Sequence, residues 1–190
     1  MEVHPTAQTT HNAHIVNPRV IDRIVAVQST AEDAPAIMDL LLKTAQWLNS
    51  KGSTQWGALL HGEDAHHSVE SARRGDVYLF KDGDTLAGIV MLLRSPSPWD
   101  IELWGEEGHE GAVYLHRLAI NRDYSGRNLG EAILQWVHTG IRFDGKDRIR
   151  LDCNDSNPLL DQFYRSAGYT YMGHADKGFF LFERMQPTLQ

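Results

Sequence analysis

Between Val113 and Gly130 the chain runs VYLHRLAINRDYSGRNLG, and no other stretch limits the fold as strongly. An apolar strand, Ala112–Asn121, leads into a short polar turn. Gly126 and Gly130 then bracket the start of a segment with helical periodicity. A strand that feeds a helix through such a turn leaves several backbone N–H groups without a helical partner. Those donors, together with the positive end of the helix dipole, suit a multiply charged anion such as a pyrophosphate. An ordinary tight turn would also account for the glycines.

The flanking pattern alternates strands and helices. Ile24–Gln28 (IVAVQ) predicts a strand, and Ser29 and Thr30 offer a cap to a helix over Asp33–Asn49, where Ile37, Leu40, Leu41 and Leu48 share one face. A second helix is predicted from about Asp64 to Arg74. Asp82-Gly83-Asp84 between Val77–Lys81 and Leu86–Leu93 marks a hairpin. Arg94–Gly111 reads as a long loop containing Trp99, Asp100, Glu102, Trp104, Glu106, Glu107 and Glu110. Downstream come a helix over Asn128–Gly140 and a strand over Arg148–Asp152. A further helix is opened by Asn157 and Pro158 and closed by Gly168. Two final strands, Tyr169–Gly173 and Phe179–Glu183, follow. The order β-α-α-β-β-β-α-β-α-β-β predicts an α/β sandwich around a mixed sheet.

Composition narrows the function classes. A chain of 190 residues is enough for one domain with a core, and 42% hydrophobic with 23% charged residues is ordinary for a globular protein. The net charge of −7 argues against nonspecific nucleic-acid binding and is compatible with a cationic substrate. The single cysteine, Cys153, excludes an internal disulfide and a multi-cysteine zinc site and fits a reducing compartment. No apolar run of about 18 residues predicts a membrane span, and the N-terminus lacks a secretion-signal pattern, so a cytoplasmic protein is expected. Residues 1–20 read as a polar N-terminal extension, mobile or docked on the surface, with His4, His11 and His14 in it; residues 21–190 read as the domain. No metal site is expected.

The motifs HRLAI (His116–Ile120), YSGRNLG (Tyr124–Gly130), RLDCNDSN (Arg150–Asn157) and FYRSAGY (Phe163–Tyr169) stand in this order. Together they resemble the GNAT superfamily of N-acetyltransferases over about Ile24–Arg184. Two loop positions depart from the family pattern. Ser125 stands where arginine or glutamine is common, and Asn128 stands in place of a glycine. Asparagine tolerates left-handed backbone better than most residues.

The resemblance implies an α/β GNAT fold with a mixed, mostly antiparallel central sheet, flanking helices and splayed central strands. It implies acetyl transfer from acetyl-CoA, as cosubstrate, to a primary amine in a ternary complex. Cofactor contacts would come from Leu118, Ala119, Ile120, Ser125, Gly126, Arg127, Asn128, Leu129, Gly130, Asn157 and Tyr164, with Leu118 N–H polarising the thioester carbonyl. Tyr164 would serve the departing thiolate as general acid, although its place on the apolar stripe also suits a core aromatic. The base is open between His116, Glu110 and water or another acid such as Glu102. Cys153, on a strand with no paired base, reads as a buried hydrophobe rather than a nucleophile.

Trp56, Trp99, Glu102 and Trp104 are the candidate acceptor residues, because aromatics with carboxylates suit a cationic amine. Trp47 and Gln55 lie on the same side as Trp56. A small-molecule amine, an amino-bearing antibiotic or polyamine-like compound, is the expected acceptor. The alternatives are a protein N-terminal or lysine acetyltransferase and a non-catalytic acyl-CoA sensor. No nucleic-acid or membrane partner is expected, and the protein would be a monomer or homodimer.

Overall fold

A computed structural model describes residues 13–188. Its sheet of eight strands among the described residues has the order β2-β3-β4-β5-β6-β8-β10-β9. The strands are β2 (Arg19–Ile21), β3 (Ile24–Gln28), β4 (Val77–Asp82), β5 (Thr85–Leu93), β6 (Ala112–Ile120), β8 (Arg148–Asn154), β9 (Thr170–Ala175) and β10 (Phe179–Met185). β4, β5 and β6 are buried almost throughout, which explains their near-continuous apolar character. Neighbouring strands run antiparallel except β6 and β8.

That parallel pair is short. Its register covers only Ala112–Tyr114 against Arg148–Arg150. From Leu115 onward β6 follows β5, while β8 follows β10 along its whole length. The two central strands therefore part after Tyr114 and Arg150, the splay expected of this fold.

Helices cover both faces. α1 (Ala34–Ser50), α2 (Ser68–Arg74) and α3 (Pro98–Trp104) lie on one; α4 (Leu129–Thr139) and α5 (Pro158–Ser166) lie on the other. Each face has its own core. Ile37, Leu41, Leu79, Ile89 and Tyr114 fill the α1 side. Tyr78, Phe80, Val113, Ile133, Trp136 and Phe182 fill the α4 side. Among the described residues no helix is long and apolar enough to cross a membrane.

Two features depart from the sequence reading, and a third decides between alternatives it left open. Arg94–Gly111 is not all loop: Ser97 and Asp100 form a capping box and Pro98 opens α3. α2 starts at Ser68, not near Asp64. Asp64 instead precedes the helix and accepts a hydrogen bond from the Ser68 amide at 2.7 Å. The described part of the N-terminal extension is docked. β1 (Ala13–Ile15) pairs with β7 (Ile141–Phe143), and the Trp136 indole donates to Asn17 O at 2.7 Å. His14 pairs with Asp144, while His4 and His11 lie outside the described residues.

Candidate active site

The turn between β6 and α4 is built from backbone. Asn121 opens it, its side chain accepting from the Asp123 amide at 3.1 Å, and Tyr124 packs beneath, donating to Asp82 at 3.1 Å. Gly126 sits at φ +76° and Asn128 at φ +58°. The left-handed region thus falls where the loop has kept a glycine and where asparagine has replaced one. The Asn128 side chain makes no capping hydrogen bond to the helix. The first α4 amide turned back into the helix is that of Ala132, onto Asn128 O at 3.0 Å. The α4 amides before it have no helical acceptor, and the loop residues Ser125, Gly126, Arg127 and Asn128 that precede them are all exposed.

The two glycines serve different ends. A side chain at Gly126 would meet nothing within 4 Å, so its need is conformational. A Cβ at Gly130 would lie 3.3 Å from the Phe163 ring, so its need is close packing of α4 on α5. Arg127 stacks over Tyr124 at 5.0 Å. Asn157 caps α5, accepting from the Leu159 amide at 3.1 Å. The edge of Leu118–Ile120 toward β8 is unpaired, and exposed amides with an unpaired strand edge are groups that fit a phosphate-tailed, amide-bearing ligand. A surface cavity of about 420 Å³ opens on the α1 side of the same turn, but Asp39 and Asp123 line it and Lys43 there is paired with Asp39, which suits a pyrophosphate poorly.

β6 carries a bulge at the splay. Its register against β5 jumps from Met91↔His116 to Ile89↔Ala119, and Arg117 takes φ +53°. A bulky residue there costs about 1–3 kcal/mol. The bulge sends His116 and Arg117 to the same face and turns Leu118 toward the α4 core. Plain strand alternation would have pointed His116 and Leu118 the same way.

On the α1 face, His116 Nε2 lies 2.9 Å from Asp100 Oδ1 and 3.1 Å from Oδ2, both residues being buried. Asp100 also accepts from the Ser97 amide and hydroxyl, each at 2.8 Å. Burial would raise the Asp100 carboxyl, but these donors and His116 outweigh it and hold it below its ordinary value. An ionised carboxylate can only accept, so the His116 proton sits on Nε2 and Nδ1 is the acceptor of the neutral ring. His66 stacks on this imidazole at 4.2 Å between centroids. Burial first, then the positive charge that His116 carries when protonated and that of Arg117, push His66 down to about 3 and keep it neutral. Asp152 completes the group: ligating atoms of Asp100, His116 and Asp152 lie within 4.8 Å of one another.

On the α4 face, Tyr164 is buried against Phe163, Tyr169 and Phe182. Burial raises its phenol above the ordinary tyrosine value. Cys153 is buried too and its thiol is pushed up to about 12 by burial and neighbouring Asp152, which leaves it protonated and inert, as expected.

The other predicted residues scatter. Glu110 is exposed in the turn before the paired end of β6, six residues ahead of His116 and on the far side of the β6–β8 pairing from the splay. Glu102 is exposed and ion-paired with Lys177. Trp56 and Trp104 already carry arginines over their rings, Arg117 at 5.2 Å and Arg150 at 4.4 Å. Trp47 holds Arg122 at 3.9 Å. Of the four predicted acceptor residues, Trp99 alone joins the cluster, lying beside Asp152, whose carboxyl it holds down, and set edge-on to Phe179. Asp152, His66, Arg117 and Asp64 were missed. Register carries the signal for Asp152: it lies two residues beyond the last paired position of β8, as His116 does on β6.

Residues 40–169 match the Acetyltransferase (GNAT) family. The chain is 47% identical over 170 residues to the uncharacterized N-acetyltransferase YesJ of Bacillus subtilis, covering 90% of this chain and 94% of that protein. A crystal structure of a GNAT-family acetyltransferase from Listeria monocytogenes superposes with a TM-score of 0.70 at 33% identity, covering 85% of this chain and 94% of that one. The PaiA N-acetyltransferase of Thermoplasma acidophilum, solved in complex with coenzyme A, shares the fold at 15% identity and a TM-score of 0.59, covering 85% and 98%.

Proposed function

Because this chain belongs to the GNAT family of acetyltransferases, we propose that it transfers acetyl from acetyl-CoA to the primary amine of a small molecule by direct attack in a ternary complex. One observation carries the reading: two proton-handling groups, His116 with Asp100 and Tyr164, lie on opposite faces of the sheet beside the opening between β6 and β8.

In this reading the amides of Arg127, Asn128, Leu129 and Gly130 hold the pyrophosphate. Backbone of Leu118–Ile120 pairs with the pantetheine arm. The acceptor enters from the α1 face. Its ammonium gives one proton to His116 Nδ1, and Asp100 stabilises the imidazolium that forms. The free amine attacks the thioester carbon, and Leu118 N–H holds the developing oxyanion, worth about 3 kcal/mol for such a donor. The C–S bond then breaks as the second nitrogen proton is lost, giving the amide and, after protonation of the sulfur, free CoA. With its phenol raised by burial, Tyr164 serves the thiolate better as hydrogen-bond donor than as source of a full proton.

A small acceptor is favoured over a peptide because the segment before β6 folds over the α1 face. α3 is fastened there by Glu102–Lys177 and Trp99–Phe179 instead of leaving an open groove. The test is acetyl-CoA consumption by the full chain against amines and peptides, with Tyr164→Phe alongside. The ring packing survives that change, so CoA affinity should hold while turnover falls about 10- to 100-fold, at or below the low end of usual acid–base contributions. Unchanged turnover removes Tyr164 from the mechanism. CoA binding without turnover of any acceptor leaves the sensor reading.

A further inference from the structure

The three-residue cluster at the splay holds more carboxylate than a histidine base needs. Asp100 is committed: it accepts from Ser97 twice and from His116, and it has no exposed surface. Asp152 differs in each respect. Trp99 lies beside it without a hydrogen bond that would commit it, and it keeps part of its surface open while Asp100 and His116 are buried. Its place follows from register. β6 and β8 last pair at Tyr114↔Arg150, and two residues further along each strand, on the same face, come His116 and Asp152. They therefore face each other across the first open position of the splay, the closed end of the slot in which the thioester would lie.

We infer that Asp152 binds the ammonium of the acceptor and so selects amines that arrive protonated, alkylamines over arylamines. The inference rests on the acetyltransferase reading above. An ammonium between Asp152 and His116 would donate to the carboxylate and turn a second N–H toward Nδ1 of the imidazole. Its third hydrogen is then free to leave after attack. Burial, and secondarily the charge of Asp100, raise the Asp152 carboxyl; Trp99 and His116 pull it partway down. His66, neutral and stacked on His116, adds no competing cation. The nearest buried arginine, Arg117, is spent on Asp64 at 3.1 Å. Asp152 is thus the accessible carboxyl of the group, and an ammonium docked beside it would offset the burial that raises it.

A divalent cation is the rival occupant of the same three residues. It would compete with the contact His116 already makes to Asp100 through Nε2.

The experiment compares Asp152→Asn with the unaltered full chain, using spermidine or butylamine as charged acceptors and an aniline as an acceptor neutral at pH 7. Retained thermal protection by CoA reports an intact fold. The expected result is a 10- to 100-fold rise in KM for the alkylamine, kcat within about threefold, and no change for the aniline. Asp152→Ser must give the same split if the asparagine variant does not fold. Equal losses on both acceptors, or none on the alkylamine, would overturn the assignment. So would activity that is abolished by EDTA and restored by zinc. If the unaltered protein acetylates no amine at all, the acetyltransferase reading fails first; if it does and Asp152→Asn is indifferent, only this inference fails.

Discussion

On the α4 side of the sheet, the candidate cofactor surface consists of main-chain amides in an exposed turn. On the α1 side, the candidate acceptor site consists of buried side chains that hold one another. The first asks little of residue identity: Ser125 and Asn128 depart from the common pattern, yet Gly126 and Asn128 take the left-handed angles the turn needs. The second depends on every member. His116 is paired with Asp100, Asp100 is held by Ser97, and Asp152 lies beside Trp99 and within 4.8 Å of the other two. A backbone-built half tolerates substitution at most positions, whereas a side-chain-built half fails at any of them.

The largest contrast should come from His116→Gln. Amine acetylation should fall about 10²- to 10⁴-fold in kcat/KM, while CoA affinity from calorimetry stays unchanged; an equal loss of CoA binding would erase the distinction between the halves. Next come the two glycines. Gly126→Ala imposes a left-handed alanine costing about 1–2 kcal/mol, so CoA should bind about tenfold more weakly. Gly130→Ala asks Phe163 to yield a few tenths of an ångström and gains helix propensity, so its effect on CoA affinity should stay under about threefold. The reverse ranking would mean that packing, not backbone angle, shapes the turn.

The smallest effect is on stability against pH. His66 is neutral when folded, with its value pushed down to about 3 from an ordinary 6.5. The unfolded chain therefore binds the extra proton below pH 6.5. Stability attributable to this group is full above that pH, declines as pH falls, and levels off near 3. His66→Gln should flatten that part of a plot of unfolding midpoint against pH; an unaltered slope would place the titration elsewhere.

The cofactor half was legible in the sequence because its signals are local: a strand, two glycines and a helix cap within eighteen residues. Helical spacing likewise put Tyr164 and the Asn157 cap on α5, while their roles at the cofactor came from the family resemblance. The acceptor half was mostly illegible because its members meet only through pairing. His116 was found as a titratable group on a strand. Asp152 required knowing where the β6–β8 ladder stops. α3 was missed although Ser97-Pro98-Trp99-Asp100 spells a capping box, since the surrounding prolines, glycines and acids read as loop. The tryptophans misled in the other direction: Trp56 and Trp104 were read as platforms for a substrate cation, and the fold gives those rings to its own arginines.

The bulge at Arg117 makes the chain intolerant of one particular kind of change. A β-branched residue there, which resists a positive φ, would press the strand toward uninterrupted alternation with every residue kept. Everything after the bulge would then be inverted, with Leu118 and Ile120 sent toward the helix bearing Leu41 and Ala119 toward the one bearing Ile133. The left-handed turn at Arg117, rather than the side chain that fills it, keeps the later half of β6 in phase with the two cores.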